Sequence, residues 1–325
     1  MSIASRERTT VPLATDGPWT VDLPPEGGIG AQVRGLDPRR VDATLAARLL
    51  ELVYEHKLVV FRDVSLAAPD YIEFARRFGT PQIYFQPNYH HPQHPEIFVS
   101  SNVLENGVKV GVAGTGRYWH TDYQFFDDPL PLTMLQPIRL PRTRRETMYI
   151  DMQRMWRTLP AELRAKLADR KAVHEAKWRY KIQPTDIDKS ITEILAEFGR
   201  ETPPVRHPSV LRHPVSAREL LYVSEGFTVG LDGCGYEEGK AVLAAVFEFR
   251  HRPEHVHVHT WNEGDVLLWD NRQLMHRAGD TAKGEQSTSW RIGIYDGLPF
   301  YTNRPDGARP AAPPVIPGHG HPSSC

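Results

Sequence analysis

A chain of 325 residues with 39 basic and 40 acidic side chains has no charge excess with which to grip a phosphate backbone or an anionic membrane surface, so its partner is expected to be a small molecule. Two cysteines, Cys234 and Cys325, do not make a disulfide framework, and a reducing, cytoplasmic setting fits them. No apolar run approaches the roughly 20 residues of a membrane span, and the first residues lack the apolar stretch of a signal peptide.

The length suits one elaborated domain, expected over 21–303. The polar stretch 1–20 and the Pro-, Gly- and Ser-rich stretch 304–325 are expected to be disordered tails. From Asp42, a predicted N-cap, Leu45, Leu49, Leu52 and Val53 recur at helical spacing. "LVVFRDV" follows as a buried strand, and "PDYIEFARRFG" as a helix opened by Pro69 and closed by Gly79. "EIFVSS", "LTMLQPI" and "TMYIDM" read as short strands. A helical insert comes next, carrying "MQRMWRTLPAELRAKLADR", with Pro160 in a first turn, and "ITEILAEFGRE". "ELLYVS", "HVHVHTW", "DVLLWDN" and "SWRIGIYDG" return to β-formers. The fold class predicted is β-rich α+β: a double-stranded β-helix, or jelly roll, with flanking helices and a helical insert.

If 117–126 is a strand, His120 and Asp122 share one face and Thr121 points away. A metal held by two such groups needs a third ligand, and His276 in "LLWDNRQLMHRAGD" supplies it from a distant element. Two histidines and one carboxylate make the facial triad of non-haem Fe(II) oxygenases, with positions left open for substrate and O₂. Such a site needs electrons, and 2-oxoglutarate provides two as it is decarboxylated while chelating the metal. Its far carboxylate calls for a guanidinium, and Arg291, between Trp290 and Ile292, is the candidate; Thr147 adds a hydroxyl. A competing cupin-type site, in a binding protein that takes Zn or Ni, draws on His257, His259 and Glu263. The His255, His257, His259 row reads instead as an exposed strand face, with Glu263 in a turn.

The motifs "WHTDYQF", "RETMYIDM", "LLWDNRQLMHRAGD" and "SWRIGIYDGLPFY" resemble the taurine dioxygenase superfamily of Fe(II)/2-oxoglutarate oxygenases, over about residues 25–302. "NYHHPQHPEIFVSSN", "RYKIQPTDI" and "WDNRQLMHRA" look like the isonitrile-forming oxidases of isonitrile lipopeptide assembly within it. That resemblance implies oxidative decarboxylation of an N-carboxymethyl amine, a β-amino or fatty acid derivative, to an isonitrile. It also implies that Tyr84, Tyr89, Lys181 and Arg145 line the substrate or cosubstrate pocket. Three positions depart from that group: Phe85 replaces a second tyrosine, Gln183 an arginine, and Asp280 a histidine. Each loses a donor for a substrate carboxylate, which implies a different substrate, free or carrier-linked. Hydroxylation or desaturation of an amino acid or fatty acid derivative is the alternative reaction. Nucleic acid and membrane are not expected partners, and a homo-oligomer is left open.

Overall fold

The computed structural model describes residues 8–12, 18–143 and 146–303. Helix α1 (Ala43–His56) starts where Asp42 Oδ1 accepts from the Leu45 amide at 2.8 Å, and its Leu45, Leu49, Leu52 and Val53 face is buried, as an apolar stripe at this spacing requires. It ends at Lys57, a left-handed residue (φ 69°) whose ammonium lies 3.3 Å from Asp151 in a buried ion pair. The helix links the Ala31–Arg34 and Leu58–Phe61 strands, which pair in parallel; parallel neighbours need such a crossover. Helix α2 (Ala68–Arg76) carries Pro69 in its first turn. Beyond it, Gly79 (φ 148°) passes so close to the Thr288–Tyr295 strand that a Cβ would sit 2.1 Å from the Tyr295 carbonyl oxygen.

Among the described residues the larger sheet has ten strands. Its central order is Leu58–Phe61, Val266–Asp270, Leu132–Arg139, Thr288–Tyr295, His94–Ser101, with antiparallel neighbours. Helices α1 and α2 cover one face, where Tyr71 and Phe74 of α2 and Phe78 just beyond it pack in one cluster with Phe61 of the Leu58–Phe61 strand. A three-stranded antiparallel sheet, Val256–Thr260, Glu146–Asp151 and Leu274–Ala278, packs toward the other face. There Tyr149 of the smaller sheet meets Trp269 of the larger one at 5.7 Å, edge to face. The candidate site opens beside this contact, between the two sheets.

Several elements depart from expectation. Thr9–Pro12 pairs with Thr20–Leu23 at the edge of the larger sheet, so part of the stretch 1–20 is a strand. Segment 117–126 is not a strand: His120 forms a single bridge, and the chain then turns through Tyr123 at φ 55°. The helical insert holds α3 (Met152–Thr158), α4 (Ala161–Leu167), with Pro160 as its N-cap, and α5 (Ile191–Glu201). It also holds a small sheet of Lys171–His174, Val205–Pro208 and Thr228–Leu231. Helix α6 (Tyr236–Arg250) buries Val242, Leu243, Val246 and Phe249. The glycines at 233, 235 and 239 make its start resemble a loop, since glycine weakens helix propensity. No helix among the described residues is long and apolar enough to cross a membrane. The stretch 304–325 lies outside the described residues.

Candidate metal centre

His120 and His276 are brought together by backbone pairing. Each donates its amide to the other's carbonyl, at 3.0 and 2.8 Å, and their rings stand 4.2 Å apart. Asp122, one turn further on, closes the group. The three ligand atoms lie within 4.8 Å of one another, and all three residues are buried. The strand alternation expected to align His120 with Asp122 is thus replaced by a bridge followed by a turn.

The donor set fits a metal ion. His120 Nδ1 is hydrogen-bonded to the Tyr118 carbonyl at 2.8 Å, which turns Nε2 toward Asp122 Oδ1 at 3.7 Å; His276 Nε2 is 3.8 Å from Asp122 Oδ2. The carboxylate-to-imidazole pairs, at 3.7 and 3.8 Å, are near enough for these donors to share one ion. Burial, and next the nearby His120, push the His276 imidazole down to about 3, which keeps it neutral and able to ligate. Burial alone would raise the Asp122 carboxyl. The Arg291 guanidinium and the two histidines outweigh it and hold the group well below the usual carboxylate range. Gly116, at φ 67°, leaves room for the first ligand: a Cβ there would meet His120 Cε1 at 3.1 Å.

Arg291 Nη1 lies 2.5 Å from Asp122 Oδ1, and its guanidinium stacks 4.0 Å from the centre of the Phe98 ring. The charge that would be costly between Trp290 and Ile292 is therefore paired. Two recesses meet at this residue. One, on the His276 side, is lined by Thr147, Ser289, Ser100 and Arg291; Thr147 Oγ1 accepts from Trp261 Nε1 at 2.9 Å, which leaves the hydroxyl proton free to donate. The other, on the His120 side, is walled by Tyr84, Tyr89, Phe98, Tyr118, Tyr123 and Phe227, with Lys181 also in its lining. Lys181 Nζ donates to the Gly114 carbonyl at 3.2 Å. Burial raises the hydroxyl of Tyr84 well above the tyrosine norm and that of Tyr89 to about 12, so both are neutral donors.

Three sequence candidates lie elsewhere. Phe85 and Gln183 line a neighbouring cleft; Phe85 stacks on Phe198 at 5.9 Å, and Gln183 bonds back to the Lys181 carbonyl. Asp280 sits half-exposed between Arg117 and Arg277, 3.8 and 3.6 Å away. Arg145 is outside the described residues. The row at 255–259 has the opposite sidedness to that expected: His255 and His259 are buried, His255 packing on Phe249 at 5.0 Å and His259 packing on Trp261 and facing Asp265 at 3.5 Å. Glu263 remains in an exposed turn. Among the described residues His120, Asp122 and His276 are the one cluster of its kind, and the cupin-type alternative has no assembled site. Phe98, Tyr123 and Phe227 line the pocket without having been singled out in the sequence. For Tyr123 the aromatic density of "WHTDYQFF" was a signal; for Phe98 and Phe227 there was none beyond their apolar character.

Residues 20–292 match the family described as taurine catabolism dioxygenase TauD, TfdA family. The alpha-ketoglutarate-dependent 2,4-dichlorophenoxyacetate dioxygenase of Cupriavidus pinatubonensis is 30% identical over 260 residues, which cover 76% of this chain and 88% of that protein. Pentalenolactone F synthase of Streptomyces avermitilis is 29% identical over 270 residues, 78% and 86% of the two chains. In fold, the chain is similar to AAD-2 in complex with Mn(II) and N-oxalylglycine, with a TM-score of 0.68, 23% identity, and coverage of 90% and 98%. A taurine dioxygenase from Burkholderia xenovorans gives a TM-score of 0.67 at 23% identity, covering 90% of each chain. The chain belongs to the TauD, TfdA family and is a non-haem Fe(II) dioxygenase that uses 2-oxoglutarate and O₂ as cosubstrates.

Proposed function

We propose that this enzyme oxidises a small carboxylate-bearing molecule at the carbon next to its nitrogen or oxygen, within a double-stranded β-helix whose two walls are the larger and the three-stranded sheet. The observation that carries the reading is the meeting of Lys181 and Arg291 in one aromatic-walled pocket beside His120 and Asp122. Arg291 also lines the His276-side recess, where the cosubstrate takes it, so Lys181 is the cation left to the substrate in this apolar pocket, which suits an organic acid with an apolar body. With iron and 2-oxoglutarate bound, the centre supplies the oxidising equivalent that removes hydrogen from an unactivated carbon. Thr147 and Arg291 hold the far carboxylate of 2-oxoglutarate in the His276-side recess. Lys181 holds the substrate carboxylate, and Tyr84 and Tyr89 donate neutral hydrogen bonds along its length. The aromatic wall keeps bulk water out, so these contacts act at low dielectric.

The specific reaction we infer is conversion of an N-carboxymethyl amine to an isonitrile with loss of CO₂, a four-electron oxidation that consumes two 2-oxoglutarate and two O₂. Tyr84, Tyr89 and Lys181, which match the isonitrile-forming oxidases, support it because they share the pocket with the metal ligands. Phe85, Gln183 and Asp280 lie outside that pocket, so their departures bear on the neighbouring cleft and the surface rather than on the carboxylate beside the metal. Hydroxylation at the carbon beside an ether oxygen is the second reading, favoured by the 30% identity to a 2,4-dichlorophenoxyacetate dioxygenase. A mass-spectrometric screen with Fe(II), ascorbate and 2-oxoglutarate separates them. It should compare N-carboxymethyl amines, free and thioester-linked, with aryloxyacetates. Isonitrile with about two succinates per product supports the first reading; a hydroxylated product or phenol with one succinate replaces it by the second.

A further inference from the structure

Asp122 is approached from behind by a chain of buried polar side chains. Trp269 Nε1 donates to Asn271 Oδ1 at 2.9 Å, Asn271 Nδ2 donates to Thr133 Oγ1 at 2.7 Å, and Thr133 Oγ1 donates to Asp122 Oδ2 at 2.7 Å. All four residues are 2% exposed or less, so water does not compete. The direction of every bond follows from chemistry. An indole N–H can only donate, so the oxygen end of the Asn271 amide faces Trp269 and its NH₂ faces Thr133. A hydroxyl has one proton; Thr133 Oγ1 accepts from Asn271 on one lone pair and turns that proton to the carboxylate, which can only accept.

We propose that Thr133 is the positioning residue of the metal carboxylate: the Trp269, Asn271 and Thr133 relay pins Asp122 Oδ2, so that Oδ1, which Arg291 Nη1 meets at 2.5 Å, is the oxygen that would pass from Arg291 to iron. The bracing of the triad is uneven. His120 is tied through Nδ1 to the Tyr118 carbonyl. His276 Nδ1 has no hydrogen-bond partner among the described residues, and its ring is held by Trp269 and Tyr149 at 5.0 and 6.1 Å. Trp269 therefore serves two ligands, through its ring to His276 and through its N–H to Asp122. The register makes this possible: Thr133 lies directly opposite Trp269 in the antiparallel pair of Leu132–Arg139 and Val266–Asp270. A carboxylate pinned by one oxygen cannot chelate the metal with both. The second carboxylate oxygen would then not compete with 2-oxoglutarate for the metal.

The test is metal binding rather than turnover. Co(II) titration of the full chain, followed by its visible absorption, should give about a 10- to 100-fold weaker affinity for Thr133→Val, the usual effect of losing a partner of a metal ligand. The spectrum should shift as the carboxylate becomes free to use both oxygens. Thr133→Ser restores the hydroxyl and should return both readouts to the parent's. Asn271→Ala removes the group that orients Thr133 and should weaken Co(II) binding in the same direction. The double variant should be no weaker than Thr133→Val, because members of one relay are not additive. Circular dichroism identifies the folded variants; if Thr133→Val does not fold, the parent, Thr133→Ser and Asn271→Ala decide. Parent-like affinity and spectrum in folded Thr133→Val or Asn271→Ala, a Thr133→Ser that stays as weak as valine, or additive losses in the double variant would each overturn the proposal.

Discussion

His120 and His276, far apart in the chain, exchange two backbone hydrogen bonds, at 3.0 and 2.8 Å, in a bridge that belongs to no longer strand pair. Main-chain pairing thereby brings the two imidazoles together. Asp122 is the member whose charge the surroundings most stabilise, through Arg291 and the two rings.

Asp122→Ala should consequently abolish the weak visible band that anaerobic Fe(II) and 2-oxoglutarate give together, since chelation needs the triad. It should also lower the stability of the metal-free protein by about 3 kcal/mol, because Arg291 is left as a buried charge without its partner. Absorption spectroscopy and urea unfolding measure the two effects. A band that survives at full iron content rules the triad out.

Arg291→Lys should keep iron and weaken 2-oxoglutarate by about tenfold or more, as a planar fork is replaced by a point charge and a charge-assisted hydrogen bond of about 1.5–3 kcal/mol is lost. Titration of the anaerobic Fe(II) protein with 2-oxoglutarate reads this directly. Unchanged affinity would move the anchor to another guanidinium, Arg145 being the one the sequence offers.

Lys181→Ala should leave Fe(II) and 2-oxoglutarate binding intact and uncouple the reaction, with succinate formed in excess of oxidised product. The ammonium in the pocket lining orients the substrate rather than the metal, and loss of orientation costs rate at the reacting carbon. Coupled turnover at the parent rate would mean that the substrate carboxylate lies elsewhere.

Stability of the metal-free protein should fall as pH drops below about 6.5, the ordinary imidazole value. Burial, and next the neighbouring His259, depress His257 to about 4; burial and His120 depress His276 to about 3. Between those values and about 6.5 the unfolded chain binds protons that the folded one does not, so unfolding free energy rises with pH there, by at most about 1.4 kcal/mol per pH unit for each group. His257→Asn should flatten the slope between about pH 4 and 6.5 in urea titrations. An unchanged slope would mean that His257 titrates normally in the fold.

What could be read without a structure was whatever is local. Asp42 caps α1 because a carboxylate three residues before an amide needs no other partner, and the buried face of that helix follows from its spacing alone. His120, Asp122 and His276 were legible because few residue types ligate metals and each sits in a short, unusual setting. The tertiary structure decided which side chains share a space. Segment 117–126 looked like a strand because its aromatics favour one; what it became depended on His276, which no local pattern reveals. His259 turned inward because Trp261 and Asp265 were there to receive it, and His255 because Phe249 was. Phe85 neighbours Tyr84 in the chain yet faces a different cleft. Thr133 and Asn271 carry no signal as single letters and matter only because antiparallel register sets Thr133 against Trp269, behind Asp122. Periodicity reports which face of an element is buried; it does not report what that face meets, because the partner is chosen by packing of residues distant along the chain.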